Sequence, residues 1–143
     1  MIAIIDYDAG NIRSVEKAFN FLGQETVVTR DRDILLSADK VILPGVGSFG
    51  DAMDKLNNYK LVPVIEEICQ KKTPFMGICL GLQLLFKSSE ETKGVPGLGI
   101  LDGGIVRFSE DFGLKIPHIG WNSLNISPDG RLFKDINDQS YVY

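Results

Sequence analysis

The chain has 143 residues, 44% of them hydrophobic and 24% charged, with 15 Lys plus Arg against 19 Asp plus Glu. That is one domain's worth, able to bury roughly two-thirds of its unfolded surface, and the balance excludes a disordered chain. The net charge of −4 without a basic block argues against a nucleic-acid partner, and no apolar run approaches the ~20 residues of a membrane span.

Met1–Asp6 has neither the length nor the basic start of a signal peptide, and two cysteines, Cys69 and Cys79, make no disulfide framework. The expected setting is therefore a reducing cytoplasm. Ile2-Ala3-Ile4-Ile5 is a short apolar run that reads as a buried strand. Asn11 then offers an N-cap, and Ile12, Val15, Ala18, Phe19 and Leu22 recur at helical spacing until Gly23 ends the helix. Thr26–Thr29 reads as a second strand, Asp33–Ala38 as a short helix, and Val41–Leu43 as a third strand ended by Pro44. Phe49–Leu56 and Val62–Lys71 are predicted helices. Pro74–Ile78 leads into a fourth strand, and Leu80–Phe86 into another helix.

This β-α-β-α order predicts an open, mostly parallel α/β sheet with helices on both faces, of flavodoxin-like type. After Ser88 glycines become frequent. Short strands around Ile105–Phe108 and Ser123–Ile126 are expected to form antiparallel hairpins. Gln139–Tyr143 reads as a strand in which the chain stops, which suggests a piece of a longer protein.

Gly77-Ile78-Cys79-Leu80-Gly81 joins a predicted strand to a predicted helix. It has the G-x-C-x-G form of a nucleophile elbow with a thiol. In such a turn the nucleophile is held in a strained conformation at the carboxyl edge of the sheet. The residues two positions either side must be small for the turn to close. The following helix aims its first amides at the sulfur, favouring thiolate, and the Leu80 amide is placed to donate to an oxyanion. The bland alternative is a buried structural cysteine. That alternative suits Cys69, which shares an apolar helix side with Val62, Ile65 and Ile68.

Pro44-Gly45-Val46-Gly47-Ser48-Phe49-Gly50 contains G-x-G-x-x-G, a dinucleotide fingerprint on paper. The acidic residue that such a site needs at the end of the next strand is missing, since Glu66 and Glu67 fall inside a helix. A dinucleotide is therefore not expected, and no other cofactor or metal is expected either. The other reading is that this loop supplies the second oxyanion amide, as loops after a third strand do in elbow enzymes. His118, in Ile116–Asn122, is the one histidine and so the one histidine candidate for a base. It follows a proline, with no acid close by to orient it, so the residues provide a nucleophile without a clear base.

Taken together, Asp6–Asn11, Pro44–Phe49, Gly77-Ile78-Cys79-Leu80-Gly81-Leu82-Gln83 and Pro117-His118-Ile119-Gly120-Trp121-Asn122 resemble the class I, triad-type glutamine amidotransferases. Among these the similarity is greatest to the glutaminase subunits of imidazole glycerol phosphate synthases. The resemblance runs along the whole chain. It implies a single glutamine amidotransferase domain over residues 1–143, truncated at its C-terminus. The family's base and orienting acid lie on a His-Pro-Glu motif, which does not occur here, so the chain by itself is expected to be inactive.

By the same resemblance Cys79 is the nucleophile, and the amides of Leu80 and Val46 are the oxyanion donors. Gly47 and Gln83 hold the substrate glutamine. Asn11 and Trp121 face a cyclase partner with a (β/α)8 barrel, to which ammonia passes. A partly buried core aromatic is an equal reading of Trp121. A redox or chaperone-like module with an elbow cysteine and no hydrolytic activity stays open as an alternative to the glutaminase.

Overall fold

The computed structural model describes residues 1–8, 10–113, 115–127, 129, 133, 136 and 140–142. They fall into two compact units, Met1–Arg107 and Phe108–Tyr143.

In the first unit, β1 (Ile2–Ile5), β2 (Thr26–Thr29), β3 (Lys40–Leu43) and β4 (Phe75–Gly77) form a parallel sheet in the order β2-β1-β3-β4. The register sets Ile4 between Val28 and Ile42, and Ile42 beside Met76. Every residue of β1 is buried, which is why its sequence is continuously apolar and not alternating. The strand order reverses at β1 and β3, where an open α/β sheet leaves a crevice beyond its carboxyl ends.

Helices cover both faces, as predicted. Ile12, Val15 and Phe19 of α1 (Ile12–Phe21) pack on Ile2, Ile4 and Ile42. Four helices lie on the other face, namely α2 (Arg32–Ser37), α3 (Phe49–Asn58), α4 (Val62–Gln70) and α5 (Leu80–Leu84). Their Leu35, Phe49, Leu56, Ile65 and Leu84 form the main core with Ala3, Ile5, Val41 and Leu43. Cys69 is part of this packing, as its helical context suggested.

Several ends differ from expectation. Asp31 caps α2 by accepting from the amides of Asp33 and Ile34, so the helix starts at Arg32 and not at Asp33. Gly23, at φ +72°, donates to Asn20 O at 3.0 Å and closes α1 as a left-handed C′ residue does. Asn11 occupies the N-cap position of α1 but makes no side-chain cap bond. Its backbone is left-handed at φ 68°, whereas a capping side chain is aimed at the first turn from an extended backbone.

The glycine-rich stretch also departs from the predicted hairpin. β5 (Ser88–Ser89) and β6 (Gly104–Ile105) pair in parallel, and Val106–Phe108 lies outside the strand. The intervening backbone is used elsewhere. The N–H groups of Leu98, Leu101 and Gly99 donate to the carbonyls of Leu84, Leu85 and Phe86, satisfying acceptors that the end of α5 leaves open.

In the second unit, β7 (Asn122–Ser123) pairs antiparallel with β8 (Tyr141–Val142). The strand is shorter than the expected Ser123–Ile126 and starts one residue earlier. Gln139 and Tyr143, part of the predicted last strand, lie outside the described residues. A pocket of about 240 Å³ is lined by Phe108, Ile116, Pro117 and Ile119 among others. It contains no residue of the predicted elbow. Among the described residues no helix is long and apolar enough to cross a membrane, and no cluster of three or more His, Cys, Asp or Glu could hold a metal.

Candidate active site

Cys79 sits between β4 and α5 with φ 55° and ψ −118°. L-residues other than glycine avoid this region, and residues held in it cluster at functional sites. The conformation is imposed by what flanks it. Ile78 N–H donates to Leu43 O at 3.0 Å, extending the β3–β4 ladder to the turn. Immediately afterwards Leu82 N–H donates to Cys79 O at 3.0 Å and starts the helix. A single residue absorbs the change of direction, and its side chain is left exposed.

The glycines two positions either side are required by contact. A Cβ on Gly81 would stand 1.9 Å from Leu43 O, and one on Gly77 would stand 2.6 Å from Gly81 O. Both distances are far inside van der Waals contact, so the turn closes only with hydrogen at both sites.

The Pro44–Ser48 loop lies against this elbow. A Cβ on Gly45 would meet Gly81 N and the Tyr7 hydroxyl, each at 2.7 Å, and Leu80 Cβ at 3.0 Å. Two loops from neighbouring parallel strands, β3 and β4, therefore meet at the carboxyl edge of the sheet. Val46 is 47% exposed between Gly45 and Gly47, and Gly47 takes φ +97°. The Leu80 N–H opens α5 and belongs to the first-turn donors that a helix leaves without an internal partner. Gln83 is one turn further on, its N–H donating to Cys79 O at 3.3 Å.

Three residues that sequence reading left without a role hold this arrangement. Tyr7 is fully buried, and its hydroxyl donates to Pro44 O at 2.7 Å. Burial, and then the negative charge of the Cys79 thiolate, push its phenol up to about 12. Glu91 Oε2 accepts from Phe49 N–H at 3.0 Å, and Thr92 Oγ1 accepts from Gly50 N–H at 3.2 Å. They fix the first turn of α3, immediately after the loop. Contacts 37 and 42 residues apart in sequence leave no local signal.

The remaining candidates are separate. Cys69 is half-buried, and burial pushes its thiol up. Asn11 is exposed at the start of α1. In the second unit, His118 is exposed, with its Nε2 2.7 Å from the Asn122 side-chain amide. Trp121 is 71% exposed, so it is not a core aromatic.

The model of the family described as "Glutamine amidotransferase class-I" matches residues 3–143. "Imidazole glycerol phosphate synthase subunit HisH" of Bacillus cereus (strain G9842) is 50% identical over 143 residues, which are 100% of this chain and 68% of that protein. The protein of the same name from Methanocaldococcus jannaschii is 48% identical, across 100% of this chain and 70% of its own. A crystal structure titled as that of a glutamine amidotransferase superposes with a TM-score of 0.66 at 21% identity, covering 81% of this chain. The chain spans 60% of that solved structure, and the likeness shows a shared α/β fold.

Proposed function

Because the chain belongs to the class-I glutamine amidotransferase family, we propose that it is the glutaminase subunit of an imidazole glycerol phosphate synthase in histidine biosynthesis. The observation that carries the reading is the elbow. An exposed cysteine is held at φ 55° between two glycines that admit no Cβ, and a second glycine-rich loop lies against it.

The thiolate of Cys79 attacks the side-chain carboxamide carbon of glutamine. The negative charge that develops on the carbonyl oxygen is taken by the N–H groups of Leu80 and Val46. Collapse of the tetrahedral adduct breaks the C–N bond. The nitrogen leaves as ammonia once protonated, and a γ-glutamyl thioester remains. Water attacks that ester, and its proton returns to the sulfur as glutamate leaves. Gln83, one turn from the nucleophile, and Gly47, open to solvent, are suited to holding the amino-acid end of the substrate. The proton transfers belong to a general base on a His-Pro-Glu motif, which this sequence does not contain.

Ammonia then passes within a heterodimer to a cyclase subunit with a (β/α)8 barrel, and Asn11 and Trp121, both exposed, are offered to that partner. Two free cysteines agree with a cytoplasmic setting. Gln83 and the family membership favour this reading over a redox or chaperone-like module. Glutamate release by the intact protein assembled with its cyclase partner tests it. Wild type should turn glutamine over and Cys79→Ala should not. Turnover that survives Cys79→Ala removes the thioester mechanism.

A further inference from the structure

Asp8 stands just after β1 with a left-handed backbone, φ 59°, and four groups hold it there. Its N–H donates to Asp6 Oδ1 at 3.1 Å, and its carbonyl accepts from Lys55 Nζ at 2.9 Å. Its carboxylate accepts from Arg30 at 2.7 Å and from the Tyr59 hydroxyl. Arg30 also binds Asp6 at 2.8 Å, and its guanidinium lies over the Tyr59 ring, 4.1 Å from the centroid. The contacts converge from three places: Arg30 just after β2, the last turn of α3 and its C-cap, and Asp6 just after β1.

This is more than an exposed residue needs for stability. Surface ion pairs contribute from nothing to about 1 kcal/mol each, and a strained backbone persists where its surroundings over-determine it. The segment so fixed touches the candidate oxyanion loop on both sides of Asp8. Tyr7 bonds the Pro44 carbonyl. At Gly10 a Cβ would stand 2.8 Å from Val46 Cγ2, so the backbone there passes directly against the Val46 side chain.

We propose that Arg30, Lys55 and Tyr59 are positioning residues for glutamine hydrolysis, holding Asp8 so that Tyr7 and Gly10, on either side of it, brace Pro44 and Val46 and set the orientation of the Val46 N–H. The proposal rests on the reading of Val46 as an oxyanion donor. None of the three touches the substrate. They act through Asp8 and the loop, and α3 makes the link rigid because its first turn follows the oxyanion loop while its last turn supplies Lys55.

The test uses the intact protein with its cyclase partner. Arg30→Gln, Arg30→Lys and Tyr59→Phe are compared with wild type by glutaminase kinetics, thermal melting and amide hydrogen exchange at Gly45, Val46 and Gly47. Arg30→Gln should lower kcat by about tenfold to a hundredfold, the scale of a displaced catalytic group, with KM changed by less than about twofold. The Val46 and Gly47 amides should exchange at least about tenfold faster, with the melting of the sheet unchanged. Arg30→Lys should recover part of kcat, because an ammonium still reaches one carboxylate. Tyr59→Phe should move both readouts in the same direction, and it decides the matter if Arg30→Gln fails to fold. The proposal is overturned by a kcat within about twofold of wild type in both variants. It is equally overturned by a loss that follows KM or melting while exchange at residues 45–47 is unchanged. A wild-type protein that hydrolyses no glutamine removes the functional reading alone, and the exchange measurement still decides whether the cluster braces the loop.

Discussion

The Tyr7 hydroxyl donates a 2.7 Å hydrogen bond to the Pro44 carbonyl, tying the end of β1 to the end of β3 at the point where the strand order reverses. Both partners are buried. Gly45 follows Pro44 and packs on the elbow that carries Cys79. One phenol therefore links the loop after the first strand, the loop after the third and the surroundings of the nucleophile.

The burial of the Tyr7 phenol should be visible as a pH-dependent contribution to stability. Burial and the Cys79 charge move the Tyr7 phenol from 10.0 to about 12. A group raised in the folded state contributes fully below its unfolded pKa and loses the contribution as pH rises through the folded one. Tyr7 should thus stabilise the fold at pH 9, and the effect should fade between about pH 10 and pH 12, by on the order of 2–3 kcal/mol. Chemical denaturation of wild type and Tyr7→Phe across that range checks it. The difference between the two proteins should shrink as pH rises. A difference constant from pH 9 to pH 12 means that the phenol is not held neutral by the site.

The two cysteines should separate in a labelling experiment. Cys79 is exposed, whereas Cys69 is half-buried and its thiol is pushed up by burial. Thiolate and access together set alkylation rate. The glutamine analogue 6-diazo-5-oxo-norleucine, given to the intact, partner-bound enzyme, should modify Cys79 and leave Cys69 untouched. Peptide mass spectrometry locates the adduct, and an adduct on Cys69 would sink the assignment.

The glycines of the site should not behave alike. Gly81→Ala forces a Cβ to within 1.9 Å of Leu43 O, a backbone atom of the central sheet. Strand and elbow cannot both stay in place, so a loss on the order of 3 kcal/mol or more is expected. At Gly47 a Cβ meets nothing within 4 Å, and the obstacle is φ +97° alone. Gly47→Ala should cost about 1–3 kcal/mol as local strain. Thermal melts of both variants distinguish them. Equal losses would mean that the contact at Gly81 relaxes without disturbing β3.

Much of this was legible in the residues because the signals are local. The apolar run Ile2–Ile5, the helical spacing of Ile12, Val15 and Phe19, and the glycines around Cys79 each carry their own physical reason. What failed depended on backbone conformation or on partners distant in sequence. Asn11 has the right chemistry for a cap, but its backbone is left-handed where a capping residue is extended, and it makes no side-chain cap bond. The strand expected around Ile105–Phe108 was to join an antiparallel hairpin, but Gly104–Ile105 pairs in parallel with Ser88–Ser89, and the amides of Leu98, Gly99 and Leu101 are committed to the end of α5. Tyr7, Glu91 and Thr92 gave no warning, because each acts on a backbone group about 40 residues away. The elbow itself was readable because strain and steric exclusion fix residue types within five positions.

Val46→Pro isolates the amide that the mechanism assigns to the oxyanion. Proline removes the N–H and leaves the carbonyl. Val46 lies half-exposed in a loop between two glycines, with its side chain against Gly10. Its neighbours Gly45 and Gly47 tolerate the local adjustment, and even a peptide flip at this position, as larger residues would not. A missing oxyanion donor costs roughly 2.7–4 kcal/mol of transition-state stabilisation. That corresponds to about a hundredfold to a thousandfold in kcat. Gly47 and Gln83 remain to bind glutamine, so KM should change far less, as expected when an interaction made only in the transition state is removed. Val46→Ala keeps the N–H but removes the Cγ2 that lies against Gly10, so its kcat should fall by less than that of Val46→Pro. The measurement is steady-state glutaminase kinetics of both variants in the intact, partner-bound protein. A near-normal kcat in a folded, partner-binding Val46→Pro protein would mean that the oxyanion is held without this amide, and that the Pro44–Ser48 loop only packs against the elbow that carries Cys79.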